Sequence, residues 1–323
     1  MAQYRALRES DGPYPVVRLS ESESATELSV SPAFGAIAYD LHVGGKKVLW
    51  SPEASLSDLI GRPRLCGNPI LAPWANRIDG YSYQANGKKY LLNPELGNLR
   101  LDANKNPIHG LVTFSNRWQT AEVSSNNDSA SATLSLEFGK YPDWLAHFPF
   151  PHKLSITYRL RAREVEVITE IVNQCADPMP LAVGYHPYFQ ISDAPRDEWK
   201  VTLPAKQRYV LSPKLIPTGE LQATPYAGEF SLKGIVLDDV FGGLERDANR
   251  LSTFRVRGTQ QSIEVVYGAD YTIGVVYAPA GQNFICFEPM TAPTNAFNMA
   301  GAARTIAPGA TWRESYWIKT SGF

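Results

Sequence analysis

The chain has 323 residues, 44% of them hydrophobic and 20% charged, and carries a formal net charge of −1. Acidic and basic residues balance along its whole length, which argues against a nucleic-acid or membrane-surface partner, because both require a concentrated basic face. The N-terminus "MAQYRALRES" lacks the apolar stretch of a signal peptide, and no apolar run reaches the roughly 18 residues of a membrane span, so a cytoplasmic location is expected.

In chain order, the first signals are hairpins. "IAYDLHV" and "KKVLW" flank Gly44-Gly45, and "YSYQA" and "KKYLL" flank Asn86-Gly87, both two-residue turn signatures. Between them, "SLSDLIG" at 55–61 is the best helix candidate. "ATLSLEF" then alternates through Leu134, Leu136 and Phe138. "KLSITYRLRAREVEVITEIV" alternates twice, through Leu154, Ile156, Tyr158 and Leu160, then through Val165, Val167, Thr169 and Ile171. A period of two marks strands with one buried face. "SIEVVYGADYTIGVVYA" reads as a further strand pair around Gly268. Helical periodicity is almost absent, and the 24 Gly and 24 Pro are not gathered into a linker or repeat. The reading is all-β: a large, mainly antiparallel sandwich with few short helices, one domain over residues 1–323.

Cys66, Cys175 and Cys286 are odd in number and widely spaced, which predicts buried reduced thiols rather than disulfides or a zinc site. In that setting the sequon Asn127-Asp128-Ser129 stays unglycosylated. The histidines show no "HxH", "HxxxH" or "HExxH", so no metal is expected. No GxGxxG, GxxxxGK[ST] or GxSxG occurs, so neither a nucleotide cofactor nor a serine nucleophile has support.

Polar residues interrupt strand-like or turn-like sequence in "NPILAPWANRIDG", "NPIHGLV", "VGYHPYF", "GIVLDDVF" and "FICFEPMTAPTNAFN". Glu288 follows the apolar run Phe284 to Phe287. A carboxylate there is costly to ionise, and the raised pKa that follows suits a general base; a solvated strand end is the alternative. His186 precedes Pro187, which keeps its backbone extended. It reads as an acid–base group or as a structural histidine bonded to a backbone carbonyl. His109, before Gly110, is equally open. His42, His147 and His152 show only surface or packing roles. Arg77 follows Asn76 beside Trp74, a grouping that suits sugar hydroxyls and a ring's apolar face, or else a surface pair of Arg77 with Asp79. Asp238 or Asp239 could accept hydrogen bonds from hydroxyls or cap a turn.

Taken together, these stretches resemble the aldose 1-epimerase (galactose mutarotase) family. The Asn-Arg of "PILAPWANRIDGYSYQANGKKYLL", the His-Gly of "IHGL", the His of "GYHPYF", the Asp of "LDDVF" and the Glu of "FEPMTAPTNAFN" occur in the family's order. "IAPGATWRESYWI" resembles its final strand, and the likeness runs from about residue 30 to the C-terminus. The resemblance implies a β-supersandwich whose cleft interconverts the α and β anomers of an aldose such as glucose or galactose. It implies His186 as general acid and Glu288 as general base. Asn76, Arg77, His109, Pro187, Tyr188 and Asp238 match sugar-binding or flanking positions, Asp238 being preferred to Asp239 for its spacing to Phe241. Two departures bear on sugar specificity: Pro187 stands where galactose mutarotases more often carry serine or asparagine, and "EPMTAP" replaces a glutamine-containing version.

The expected partner is therefore a small aldose, with no cofactor and with the protein a monomer or homodimer. Rival readings are a hexose-6-phosphate 1-epimerase using Arg62, Arg64 and Lys105, a non-catalytic sugar-binding protein, and a structural sandwich module. A phosphate dianion generally needs two or more cationic donors. Arg77 is the only basic residue in the five stretches, so free hexoses are expected as substrates.

Overall fold

The computed structural model describes residues 3–52 and 55–323, so Met1 and Ala2 of the N-terminal segment lie outside it. The alternating sequences build an antiparallel sheet of nine strands. Its centre is formed by Ala130–Glu137, His152–Arg161, Glu164–Asn173 and Thr311–Ser321, paired in that order. Burial alternates residue by residue in the first two, as a sheet with one solvated face requires. Toward one edge follow Ser262–Tyr267, Ser252–Arg257, Lys200–Thr202 and Glu229–Ser231, with Gln119–Ser125 at the other.

A second antiparallel sheet, of eight strands, runs Pro217–Ala223, Ala205–Leu211, Leu237–Leu244, Ile273–Ala278, Ile285–Met290, Gly184–Tyr185 and Ile70–Leu71, with Tyr188–Phe189 pairing beside Gly184–Tyr185 on Ile285–Met290. The two sheets share one core. Phe254 of the first packs on Phe287 of the second at 5.7 Å between centroids, and Thr169 Oγ1 lies 2.7 Å from the buried Tyr185 hydroxyl. Gly274 is needed for this approach, since a Cβ there would come within 2.3 Å of the Phe254 ring. Five strands from Tyr4–Asp11 to Lys46–Lys47 form a third sheet. The fold is the large antiparallel β-sandwich that the alternation predicts.

Both hairpin signals hold. Gly44 and Gly45 connect Ile37–Val43 to Lys46–Lys47, and Asn86 and Gly87 connect Ser82–Ala85 to Lys88–Leu91; all four connecting residues have positive φ. The helix candidate forms as Leu56–Gly61, with Ser55 and Asp58 making a reciprocal capping box. The strand pair expected around Gly268 needs correction. Ser262–Tyr267 and Ile273–Ala278 are both strands, but the first belongs to the nine-stranded sheet and the second to the eight-stranded one. The chain crosses between sheets in the turn where Tyr271 N–H donates to the Gly268 carbonyl at 3.2 Å. Alternation reveals a strand without naming its partner. The cysteines are free, but only Cys66 and Cys286 are buried; Cys175 is half-buried.

Candidate active site

The strand Ile285–Met290 faces two ways. Ile285 and Phe287 enter the core shared by the sheets, so Cys286 and Glu288 must point to the opposite face. Register then fixes their neighbours. Cys286 lies opposite Tyr277 on one side and Tyr188 on the other, Tyr277 lies opposite Asp238, and Glu288 lies opposite Val275. Asp238, Tyr277, Cys286 and Tyr188 thus form one cross-strand row, with Glu288 two residues further along on the same face. The two aspartates part here. Asp238 lines the cleft, whereas Asp239 alternates to the other side and pairs with Arg208 at 3.4 Å.

His186 lies between the short strands Gly184–Tyr185 and Tyr188–Phe189. Its own N–H donates to the Pro69 carbonyl at 3.0 Å, and the Tyr188 N–H donates to Gly67 at 2.8 Å. Pro187, having no N–H, leaves the ladder between these two bonds without an orphaned donor. The His186 ring stacks on Tyr188 at 4.6 Å and 3°, and its Nε2 lies 3.3 Å from Glu288 Oε1. Both groups are buried, at 7% and 2% exposure.

Three loops are tied together at the other wall. The His109 N–H donates to the Asn76 carbonyl at 2.9 Å, and the Asn295 N–H donates to the Arg77 carbonyl at 2.8 Å. Asn76 and His109 both take left-handed backbone, φ 55° and 64°, a conformation uncommon away from glycine. Gly110 has no substitute: a Cβ would lie 2.0 Å from the Ala72 carbonyl oxygen. Arg77 does not pair with Asp79. Its Nε donates to Asp102 at 2.7 Å and its Nη1 to the Asn76 side chain at 2.9 Å.

Around a cavity of about 410 Å³ the structure brings together Asn76, Arg77, His109, His186, Tyr188, Asp238 and Glu288. Of the residues singled out in the sequence, Pro187 is buried beside the cleft without lining it. His147 and His152 are also buried, but away from it: His147 Nε2 meets Asn98 at 2.7 Å and His152 Nδ1 donates to the Phe150 carbonyl at 2.7 Å. His42 is a surface partner of Asp40. Arg62, Arg64 and Lys105 do not line the cleft.

Sequence reasoning missed Arg100 and Asp102, both of which line it, together with an aromatic wall of Trp50, Tyr277 and Phe284. The two charged residues stand in "GNLRLDANKNP", where charge looks like ordinary loop polarity and nothing signals burial. Trp50 lies next to the first hairpin and packs on Phe284 at 4.6 Å.

Electrostatics sharpen the picture. Burial raises the Glu288 carboxyl well above its usual range, and the nearby Asp238 adds to this while Arg77 opposes it. Burial, with Arg100 and Arg77 nearby, lowers the His186 imidazole to about 3. His109 is lowered well below its usual value by burial and then by His186, Arg100 and Arg77. Burial would raise Asp102 as well, but backbone donation from Asn106 and the Arg77 contact outweigh it and hold it ionised. The arrangement therefore combines one imidazole–carboxyl pair favouring uncharged forms with an anchored arginine. Among the described residues no group of three or more His, Cys, Asp and Glu side chains converges as a metal site, and no helix is long and apolar enough to cross a membrane.

The family this chain matches supports a carbohydrate-epimerase type of protein. A galactose mutarotase-like protein from Clostridium acetobutylicum has the same fold, with a TM-score of 0.86 at 20% identity over 100% of this chain and 99% of that one. The galactose 1-epimerase from Lactobacillus acidophilus NCFM gives 0.77 at 15% identity, over 100% and 99%. The chain belongs to the aldose 1-epimerase family, whose sequence model matches residues 19–319. It is also 27% identical to the uncharacterized Escherichia coli (strain K12) protein YihR across 239 residues, 71% of each chain.

Proposed function

We propose that the protein interconverts the α and β anomers of an aldose, such as glucose or galactose, with His186 and Glu288 as the acid–base pair. One observation carries this reading: a buried imidazole and a buried carboxyl stand 3.3 Å apart in a cleft that also presents hydrogen-bonding side chains and an aromatic wall. Asn76, Arg77, His109, Tyr188 and Asp238 hold the sugar. Pro187 acts by fixing the backbone between His186 and Tyr188.

The reaction needs one proton on the pair. Glu288, as carboxylate, takes the proton of the anomeric hydroxyl while His186, as imidazolium, gives one to the ring oxygen. The bond between the anomeric carbon and the ring oxygen breaks, and the anomeric carbon becomes an aldehyde. Rotation about the adjacent carbon–carbon bond presents the other carbonyl face. Closure returns both protons, so nothing is consumed. Burial favours the tautomer with the proton on Glu288, but the imidazolium–carboxylate tautomer has the same net charge and differs by one transfer across the contact. Hydrogen bonds from the sugar select between them. The remaining residues contribute position, which in well-oriented systems supplies a large share of rate enhancement.

The test is polarimetry on freshly dissolved α-D-glucose and α-D-galactose with purified protein. Acceleration of at least one toward anomeric equilibrium is expected. Saturable sugar binding with no acceleration would replace this reading with a sugar-binding protein on the same fold.

A further inference from the structure

Among the described residues Arg100 has no hydrogen-bond acceptor for its buried Nη1. It lines the cleft, and among the described residues no carboxylate pairs with it. Other part-buried arginines of this fold are treated differently. Arg196 donates to the carbonyls of Leu232, Ile235 and Ala278, and Arg246 to those of Arg250, Gly268 and Tyr271. A sheltered cation without a counter-charge is costly to keep. Arg100 is nevertheless held in place, its guanidinium 5.3 Å over the Phe114 ring and its backbone carbonyl accepting from the Ile108 N–H at 2.9 Å.

We propose that Arg100 is an oxyanion subsite and that the preferred aldose carries a singly charged acidic group, a carboxylate or a sulfo group, on the carbon beside the ring oxygen. This rests on the epimerase reading above. If His186 protonates the ring oxygen, the substituent on the neighbouring ring carbon lies on the histidine side of the cleft. Arg100 acts on that side: its charge bears on His109, His186 and Tyr188, while Arg77 bears on both histidines and also on Glu288 and Asp238.

The charge count selects a monoanion. A phosphate dianion is generally held by two or more cationic donors. Here Arg77 is committed to Asp102 and Asn76, and Asp102, Asp238 and Glu288 share the cleft. Arg100, the cleft guanidinium with no carboxylate partner among the described residues, matches one negative charge.

The experiment measures kcat/KM for anomerisation of glucose, glucuronate, glucose 6-sulfate and glucose 6-phosphate at constant ionic strength, after subtraction of the uncatalysed rate. Wild type should favour glucuronate or glucose 6-sulfate over glucose by at least about tenfold, equivalent to roughly 1.4 kcal/mol of transition-state preference. Whichever of the two is faster identifies the carboxylate or the sulfo group. In Arg100→Gln the ratio of acidic to neutral sugar should collapse toward one, and Arg100→Lys should recover part of it. Should the variants not fold, wild type still answers: added sodium chloride should raise KM for the acidic sugar and leave that for glucose unchanged. Glucose turned over with no acidic preference removes the subsite and leaves the epimerase reading standing. Failure to turn over any of the four sinks both. A tenfold preference for the phosphate over both monoanions overturns the charge argument.

Discussion

At His186 and Glu288 burial pushes two facing groups in opposite directions, one imidazole down and one carboxyl up, and the proposed reaction needs one proton on the pair. If that proton is the reaction's currency, Glu288→Gln should fold and lower the anomerisation rate by at least about 100-fold, the low end of a lost general base. His186→Asn should be comparably damaging, while His147→Asn and His152→Asn leave activity nearly unchanged; rates from polarimetry in the reverse order would reassign the acid. His152 instead makes a stability prediction. Burial lowers its pKa from 6.5 to about 4, partly opposed by the Phe150 carbonyl. The unfolded chain therefore binds this proton more readily. Stability contributed by His152 is whole above pH 6.5 and is lost as pH falls toward 4, by roughly 3 kcal/mol at the end of that range. Urea unfolding at pH 7 and pH 4.5 should show a smaller pH difference in His152→Gln than in wild type, and an unchanged difference would clear His152 of that role. At this scale the sequence was legible wherever a polar side chain interrupted an apolar context, as Glu288 does after Phe287. Arg100 and Asp102 were illegible because a charge in a polar loop looks the same whether or not the fold later encloses it.

Elements explain why loops rather than strands set the far wall of the cleft. Glu288 and Asp238 are placed by sheet register, which the regular backbone enforces at every position. Asn76 and His109 have no such ladder. They are held by the His109–Asn76 backbone bond and by Gly110 passing against Ala72, a contact that admits no side chain. Gly110→Ala must relieve both a clash and a φ of +66°. It should cost about 1–3 kcal/mol or more of stability and raise KM by displacing His109. Denaturation midpoints and KM measured on the same preparation check this, and a variant equal to wild type in both would show that the loop relaxes freely. Hairpins were readable because Asn86-Gly87 and Gly44-Gly45 are local chemistry: positive φ at both turn residues suits the twist of the flanking strands. The crossing at Gly268 was not, because period-two alternation is identical for two strands that pair and for two that part to different sheets.

Over the whole molecule, one contiguous core includes Val17 and Leu19 near the start of the chain, Val167 and Phe254 in the nine-stranded sheet, Phe287 in the eight-stranded sheet, and Ile318 near the end. The strand Ile285–Met290 belongs to that core on one face and to the cleft on the other. Loss of the core is therefore expected to take Glu288 out of register with Val275, and the cleft with it. Two outcomes follow if the chain is one domain, as its composition and unbroken strand pattern led us to expect. Thermal unfolding followed by near-ultraviolet circular dichroism, which reports the buried tyrosines and tryptophans, should coincide with the far-ultraviolet transition of the sheets. A saturating aldose should shift both curves upward together, because a ligand that binds only the folded form stabilises by RT ln(1 + [L]/Kd), about 2.7 kcal/mol at 100 times Kd. In Glu288→Gln the unliganded transition should remain single, since the substitution changes the cleft face alone. Two resolved transitions, with sugar moving only one, would show instead that the strands around the cleft fold separately from the nine-stranded sheet, and the single-domain reading would then be withdrawn.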